Sequence, residues 1–258
     1  MNRNLLLAVD AGNTNVVFAL FDGDSLVDSW RTATVVNRTA DEYAVWLTQL
    51  LALDGIDLGE VNAAIIATVV PQALHEISAL CRRYFNCEAR VVGRGLELGL
   101  KIHIDRPGDV GADRLVSAVA AHDRYPGWLI VIDFGTATTL DVISDDGDYE
   151  GGVIAPGVNL SLEALDRAAA KLPRISVERP PSVIGTGTVS AMQSGVYWGY
   201  VGLLEGLVTR IRGEIDQPMT CVATGGLAAL FRDATDVIDE FDPNLTLHGL
   251  CRIHRLNP

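Results

Sequence analysis

The chain has 258 residues, of which 48% are hydrophobic and 21% charged, and its formal net charge is −13. That composition describes a folded protein with room for one large domain or two lobes. The acidic balance argues against a nucleic-acid or anionic-membrane partner, because neutralising phosphates takes a basic face and the only lysines are Lys101 and Lys171.

The first predicted element is an apolar run, Leu5 to Val9, that reaches Asp10, turns through Ala11, Gly12, Asn13, Thr14 and Asn15, and leaves as Val16 to Phe21. Short, bounded runs of this kind read as two buried strands joined by a tight hairpin. Gly12 and Asn13 are the residue types that tolerate unusual dihedrals in such a turn. Asp22-Gly23-Asp24 turns the chain into a third strand near Leu26 to Thr32. Thr39-Ala40-Asp41-Glu42 has capping-box spacing, and Tyr43, Trp46, Leu47, Leu50 and Leu51 follow at helical period. Asn62 to Val70 reads as a strand stopped by Pro71, which suits the first position of the next helix. Short strands are expected near Ala89 to Val92 and Leu100 to Ile104, and a helix from Gly111 to Tyr125.

The second half replays this order. Strands near 128–133, 138–144 and 149–154 are followed by a helix at 159–171, a loop through Pro180-Pro181 and a long helix from Thr188 to about Arg212. Thr220 to Thr224 is a strand ending in Gly225-Gly226, which open a short helix. A strand near Val237 and a helix from Leu245 to Leu256 close the chain. Each half is a three-stranded meander followed by alternating helices and strands, so the class is α/β with one lobe present twice, residues 1–118 and 119–258.

No apolar stretch approaches the ~20 residues that span a bilayer. Leu5 to Val9 is too short for the core of a signal peptide, and Asp10 ends it. Cys81, Cys87, Cys221 and Cys251 show no C-x-x-C spacing and read as reduced, mostly buried thiols. A cytoplasmic protein is expected.

The chemistry sits in the repeat. Ile132-Asp133-Phe134-Gly135-Thr136-Ala137-Thr138-Thr139 repeats the pattern around Asp10: strand, Asp-x-Gly, small polar residues, strand. Amides of a tight glycine turn form an anion nest. Side chains of Asn13, Thr14, Thr136, Thr138 and Thr139 are expected to add hydrogen bonds to phosphate oxygens. Asp10 and Asp133 supply hard oxygen ligands for a cation bridging those phosphates. One such hairpin alone would be an ordinary turn with a capping Asp. The matched pair points to two phosphate loops facing each other across a nucleotide cleft. A P-loop is excluded, since no G-x-x-x-x-G-K-[ST] occurs, and so are H-E-x-x-H and G-x-S-x-G hydrolase motifs. Gly111-Ala112-Asp113-Arg114 places an Asp and an Arg at a helix start. On the residues alone these are either a base beside an anion clamp, or an Asp favoured by the helix dipole beside a solvated Arg.

Asp10-Ala-Gly-Asn-Thr14, Gly111-Ala-Asp-Arg114 and Asp133-Phe-Gly-Thr-Ala-Thr-Thr139, in that order, resemble the type III pantothenate kinases. Gly151 to Gly157, Met192 to Gly195, Thr224 to Gly226 and Leu245 to Leu250 are similar to that family too. The resemblance implies two ribonuclease-H-like lobes of the actin-like and sugar-kinase superfamily around a nucleotide cleft. It implies ATP-dependent phosphorylation of pantothenate in coenzyme A synthesis, by a homodimer using Mg²⁺ and K⁺ or NH₄⁺. It further implies that Asp10, Ala11, Gly12, Asn13, Thr14, Asn15, Val16 and Val17, with Gly135 and Thr136, hold ATP. Gly111, Ala112, Asp113 and Arg114 would line the pantothenate pocket, with Asp113 as catalytic base and Thr188 reaching in from the partner subunit. Asp133 would hold the monovalent cation, and Asp10 the magnesium through water. The alternatives are a kinase of another small hydroxy acid and a nucleotide-binding accessory protein without kinase activity.

Overall fold

The computed structural model describes residues 3–168 and 173–258. The chain falls into two compact units, one of residues 1–100, 106–120 and 245–258, the other of 101–105 and 121–244. Residues 245–258 thus lie in the first unit, whereas the linear division at 118/119 assigns them to the second lobe.

In the first unit β1 (Leu5–Ala11), β2 (Asn15–Asp22) and β3 (Ser25–Ala33) form an antiparallel meander. β4 (Val61–Thr68) and β5 (Ala89–Val91) then add in parallel beside β1, for the order β3-β2-β1-β4-β5. β1 is buried on both faces, as a strand covered by helices on each side must be. Leu5, Leu7 and Val9 pack against α1 (Ala40–Leu53) and α2 (Pro71–Tyr84), while Leu6 and Ala8 face the other way. On that second face lie Val116 and Val119 of α3 (Ala112–Arg124) and Leu247, Leu250 and Ile253 of α7 (Leu245–Leu256). Thr39 caps α1 with the expected capping box, and Pro71 opens α2. Gly249 lets α7 close on α3, since a Cβ there would strike the Val116 backbone.

The second unit repeats the topology. β6 (Trp128–Phe134), β7 (Ala137–Ile143) and β8 (Tyr149–Pro156) are antiparallel, and β9 (Met219–Gly225) and β10 (Glu240–Phe241) are parallel beside β6, in the order β10-β9-β6-β7-β8. One face packs on α5 (Thr188–Ile215) and α6 (Ala228–Phe231), where Phe231 stacks between Phe134 at 5.2 Å and Tyr197 at 5.3 Å. α4 (Val158–Ala168) follows β8; the expected continuation of this helix to residue 171 lies outside the described residues.

Two strand expectations are corrected. Leu100–Ile104 forms no strand of its own. Ile102 makes an isolated parallel bridge to Tyr149 at the free edge of β8, because Lys101 and His103 alone pair with the Tyr149 backbone. The strand expected near Val237 begins at Glu240 instead, after the amide of Asp239 has joined the carbonyl of Cys221. All four cysteines are free thiols. Among the described residues no helix is long and apolar enough to cross a membrane.

Candidate active site

The two Asp-x-Gly hairpins occupy the same place in the two sheets. Asp10 is the last residue but one of the central strand β1, between Val17 on β2 and Ala67 on β4. Asp133 is the last but one of β6, between Thr139 on β7 and Thr224 on β9. Both carboxylates are therefore delivered to the carboxyl end of the central strand, where open α/β sheets bind ligands.

The first hairpin turns through Gly12, Asn13 and Thr14. The Gly12 amide donates to the Asn15 carbonyl at 3.0 Å, so it is spent inside the turn. Gly12 and Asn13 do not take left-handed dihedrals; the only non-glycine residues among those described with positive φ are Asn86 and Asp216. The three-residue connection closes without them, and a Cβ on Gly12 would meet only the Asn15 carbonyl, at 3.5 Å. Two threonines that sequence reasoning passed over brace this loop. The Thr34 hydroxyl donates to the Gly12 carbonyl at 2.7 Å and its amide to the Thr14 carbonyl at 2.9 Å. The Thr68 hydroxyl donates to the Ala11 carbonyl at 3.1 Å. Both lie at strand ends, where a lone Thr gives no periodic signal. Ala11 and Val16 are wholly buried and Val17 half-buried, so Ala11 and Val16 offer a ligand only backbone.

The same unit holds Gly111–Arg114. The Gly111 carbonyl accepts from the Arg114 and Leu115 amides, which starts α3 there. Asp113 Oδ1 folds back to accept the Arg114 amide at 2.9 Å, and a Cβ on Gly111 would lie 2.5 Å from that oxygen. That same Cβ would lie 3.7 Å from Val69, whose amide donates to the Ala11 carbonyl. The loop after β4 thus links the Asp10 hairpin to the GADR helix start.

In the second unit the Gly135 amide donates to the Ala137 carbonyl, and the Gly157 amide to that of Thr136. Gly225, at φ +93°, sits against Asp133: a Cβ there would strike Asp133 Oδ1 and come within 2.6 Å of the Phe134 nitrogen. Two of the four threonines expected to serve phosphates, Thr138 and Thr139, are hydrogen-bonded within the protein. Thr138 is 0% exposed and its hydroxyl lies 2.8 Å from that of Tyr200, which donates to the Pro156 carbonyl. Burial pushes that phenol's pKa up, so it stays a donor. Thr139, one residue on and therefore on the opposite face, gives its proton to Asp141 Oδ2 at 3.1 Å. Thr188 is exposed at the first turn of α5, whose start is fixed by the Gly187 amide donating to the Ser190 hydroxyl.

Among the described residues no group of three or more His, Cys, Asp or Glu is placed to hold a metal ion. A magnesium ion is compatible with this, because it keeps several waters and takes one or two carboxylates plus substrate phosphates.

Two copies of one five-stranded topology, each offering an Asp at the end of its central strand, are the architecture of the actin-like and sugar-kinase fold. A solved protein proposed to be a 2-dehydro-3-deoxygalactonokinase, from Sinorhizobium meliloti, shares that fold with a TM-score of 0.59 at 18% identity, over 98% of this chain and 96% of its own. The family model for type III pantothenate kinase matches residues 6–210. Proteins of that name from Paramagnetospirillum magneticum and Phenylobacterium zucineum are 61% and 57% identical, each over 98% of both chains. The chain belongs to the type III pantothenate kinases, and it is an enzyme.

Proposed function

We propose that this kinase transfers the γ-phosphoryl group of ATP to the hydroxyl of pantothenate, the first step of coenzyme A biosynthesis. The observation that carries the reading is the first unit's pairing of the Asp10 hairpin with the GADR helix start, joined through Val69. The backbone from Asp10 to Val17 and the Gly135–Thr136 turn bind ATP phosphates in this reading. Asp10 would hold magnesium through water, and the ion would supply neutralisation of the phosphate charge. Gly111, Ala112 and Arg114 seat pantothenate, and Asp113 accepts the proton of its hydroxyl. An ordinary aspartate, with a pKa of about 3.9, is a weak base for an alcohol. The loose transition state of phosphoryl transfer takes the proton late, so orientation counts for more than basicity. Asp133 holds K⁺ or NH₄⁺. The protein acts in the cytoplasm.

The test is formation of phosphopantothenate and ADP by the purified protein with ATP, Mg²⁺ and K⁺. Turnover of a different small hydroxy acid in preference to pantothenate would replace the substrate. ATP binding without any transfer would leave a nucleotide-binding accessory protein.

Exposed Thr188 supports a homodimer in which each chain completes its neighbour's pantothenate site. Inactive Thr188→Ala and Asp113→Asn chains, mixed and allowed to exchange, should then regain activity, since some sites receive both intact residues. Full wild-type activity at a monomeric mass by light scattering rules this out.

A further inference from the structure

The repetition of the two sheets permits a comparison position by position. On β1 and β2 the face carrying Asp10 pairs it with Val17, and the next pair on that face is Ala8 with Ala19. On β6 and β7 the matching pairs are Asp133 with Thr139 and Val131 with Asp141. Where the first sheet has Val and Ala, the second therefore has a hydroxyl and a carboxylate. Asp141 is 1% exposed, its Oδ1 accepting from the Tyr149 hydroxyl at 2.7 Å and its Oδ2 from Thr139 at 3.1 Å. Tyr149 is itself 1% exposed. Burying a carboxylate costs stability that an apolar side chain at the same place would not. The first sheet shows that the fold does not require it.

The chemistry of the hydroxyl supplies a reason. Threonine has one hydroxyl proton and two lone pairs. With its proton directed at Asp141, Thr139 Oγ1 is left as an acceptor. Directly opposed residues on one face of an antiparallel pair have Cβ atoms about 4.5–5.5 Å apart, so the Thr139 and Asp133 side chains are neighbours on that face. Gly225 closes another side of the same carboxylate. Oxygens that can only accept repel a phosphate oxygen and suit a cation.

We propose that Thr139 is a second protein ligand of the monovalent cation at Asp133, and that buried Asp141 and Tyr149 are positioning residues that fix its hydroxyl as an acceptor. This rests on the cation reading of Asp133 and deepens it. The first hairpin, with Val17 and Ala19 at these positions, has no counterpart to such a site.

Two readouts are compared for wild type, Thr139→Val, Asp141→Asn, Tyr149→Phe and Asp133→Asn. One is the rise in Tm when KCl replaces choline chloride, without substrate turnover. The other is the K⁺ activation constant of the kinase, measured beside KM for ATP. Thr139→Val is expected to need about tenfold more K⁺ in both, the lower end of what loss of a supporting ligand interaction costs. KM for ATP should stay within about threefold. Asp141→Asn should shift the K⁺ response at least as far, because its amide donates to Thr139 and turns the hydroxyl proton outward. Tyr149→Phe should move it the same way by less. The proposal is overturned if Thr139→Val follows the wild-type K⁺ curve while Asp133→Asn does not, an outcome that leaves the cation site standing. It is also overturned if Thr139→Val raises KM for ATP with an unchanged K⁺ constant, which would make Thr139 a phosphate donor. A wild-type protein that phosphorylates pantothenate and responds to K⁺ in neither readout removes the cation reading and this inference together. Should Asp141→Asn fail to fold, the near-isosteric Thr139→Val decides alone.

Discussion

Asp113→Asn is expected to lower kcat roughly 10²- to 10⁴-fold, the range for a positioned acid–base group. Asp113 stands in the opening turn of α3, with Oδ1 accepting the Arg114 amide at 2.9 Å. An asparagine oxygen can accept the same bond, so the side chain should keep its orientation. What it loses is the charge near the helix N-terminus, worth about 0.3–1 kcal/mol, so the fold should survive with a small change in Tm. KM for ATP should barely change, because the nucleotide is held elsewhere in this reading. Steady-state ADP release at saturating pantothenate, beside a melting curve, measures both. Activity within about threefold of wild type would reduce Asp113 to a residue that merely favours the helix start.

Asp133→Asn is expected to abolish activation by potassium. Removing a ligand's supporting partner costs about 10- to 100-fold in metal affinity, and removing the charged ligand itself should cost more than the upper end of that range. The reason lies in the charge balance. The loops that bind ATP in this reading contain no lysine, and Arg114 is the only cation in the two hairpins or the GADR turn. Other kinases neutralise the transferring phosphoryl group with Lys or Arg side chains. Bound ions would take that part here, magnesium at Asp10 and a monovalent cation at Asp133. Wild type should be slow in sodium or Tris buffers and speed up strongly in potassium or ammonium. Asp10→Asn should instead raise the magnesium requirement and leave the potassium constant near wild type. An Asp133→Asn protein with undiminished potassium activation sinks the assignment.

Much of this molecule is legible along the chain because the signals are local. The apolar run into Asp10 and its echo into Asp133 fix four strands and two turns, since a bounded β-rich run needs only its neighbours to declare itself. Thr39 with Glu42, and Pro71, mark helix starts through bonds made within one turn. The GADR segment opens α3 as expected. Where local signals stop, the reading slips. Leu100–Ile104 has the composition of a strand but finds a backbone partner only at Tyr149, and strand status depends on that partner. Gly12 and Asn13 are turn residues by type, yet the turn, braced by Thr34, closes without left-handed dihedrals at either.

The sequence by itself determined that one motif occurs twice, that each copy runs a strand into an aspartate and a glycine turn, and that no lysine stands beside either. Strand alternation and turn chemistry are short-range, so no other part of the chain is needed to establish them. Only the tertiary structure decided what the flanking threonines do. Adjacent residues of a strand point to opposite faces, so Thr138 goes to Tyr200 in the α5 core while Thr139 goes to Asp141 beside Asp133. Only the tertiary structure, again, returned α7 to pack on β1 and β4 in the first unit, where Leu247, Leu250 and Ile253 find the apolar face left by Leu6 and Ala8. Those partners lie far apart in the chain, and burial of shared apolar surface, which carries no sequence spacing, brings them together.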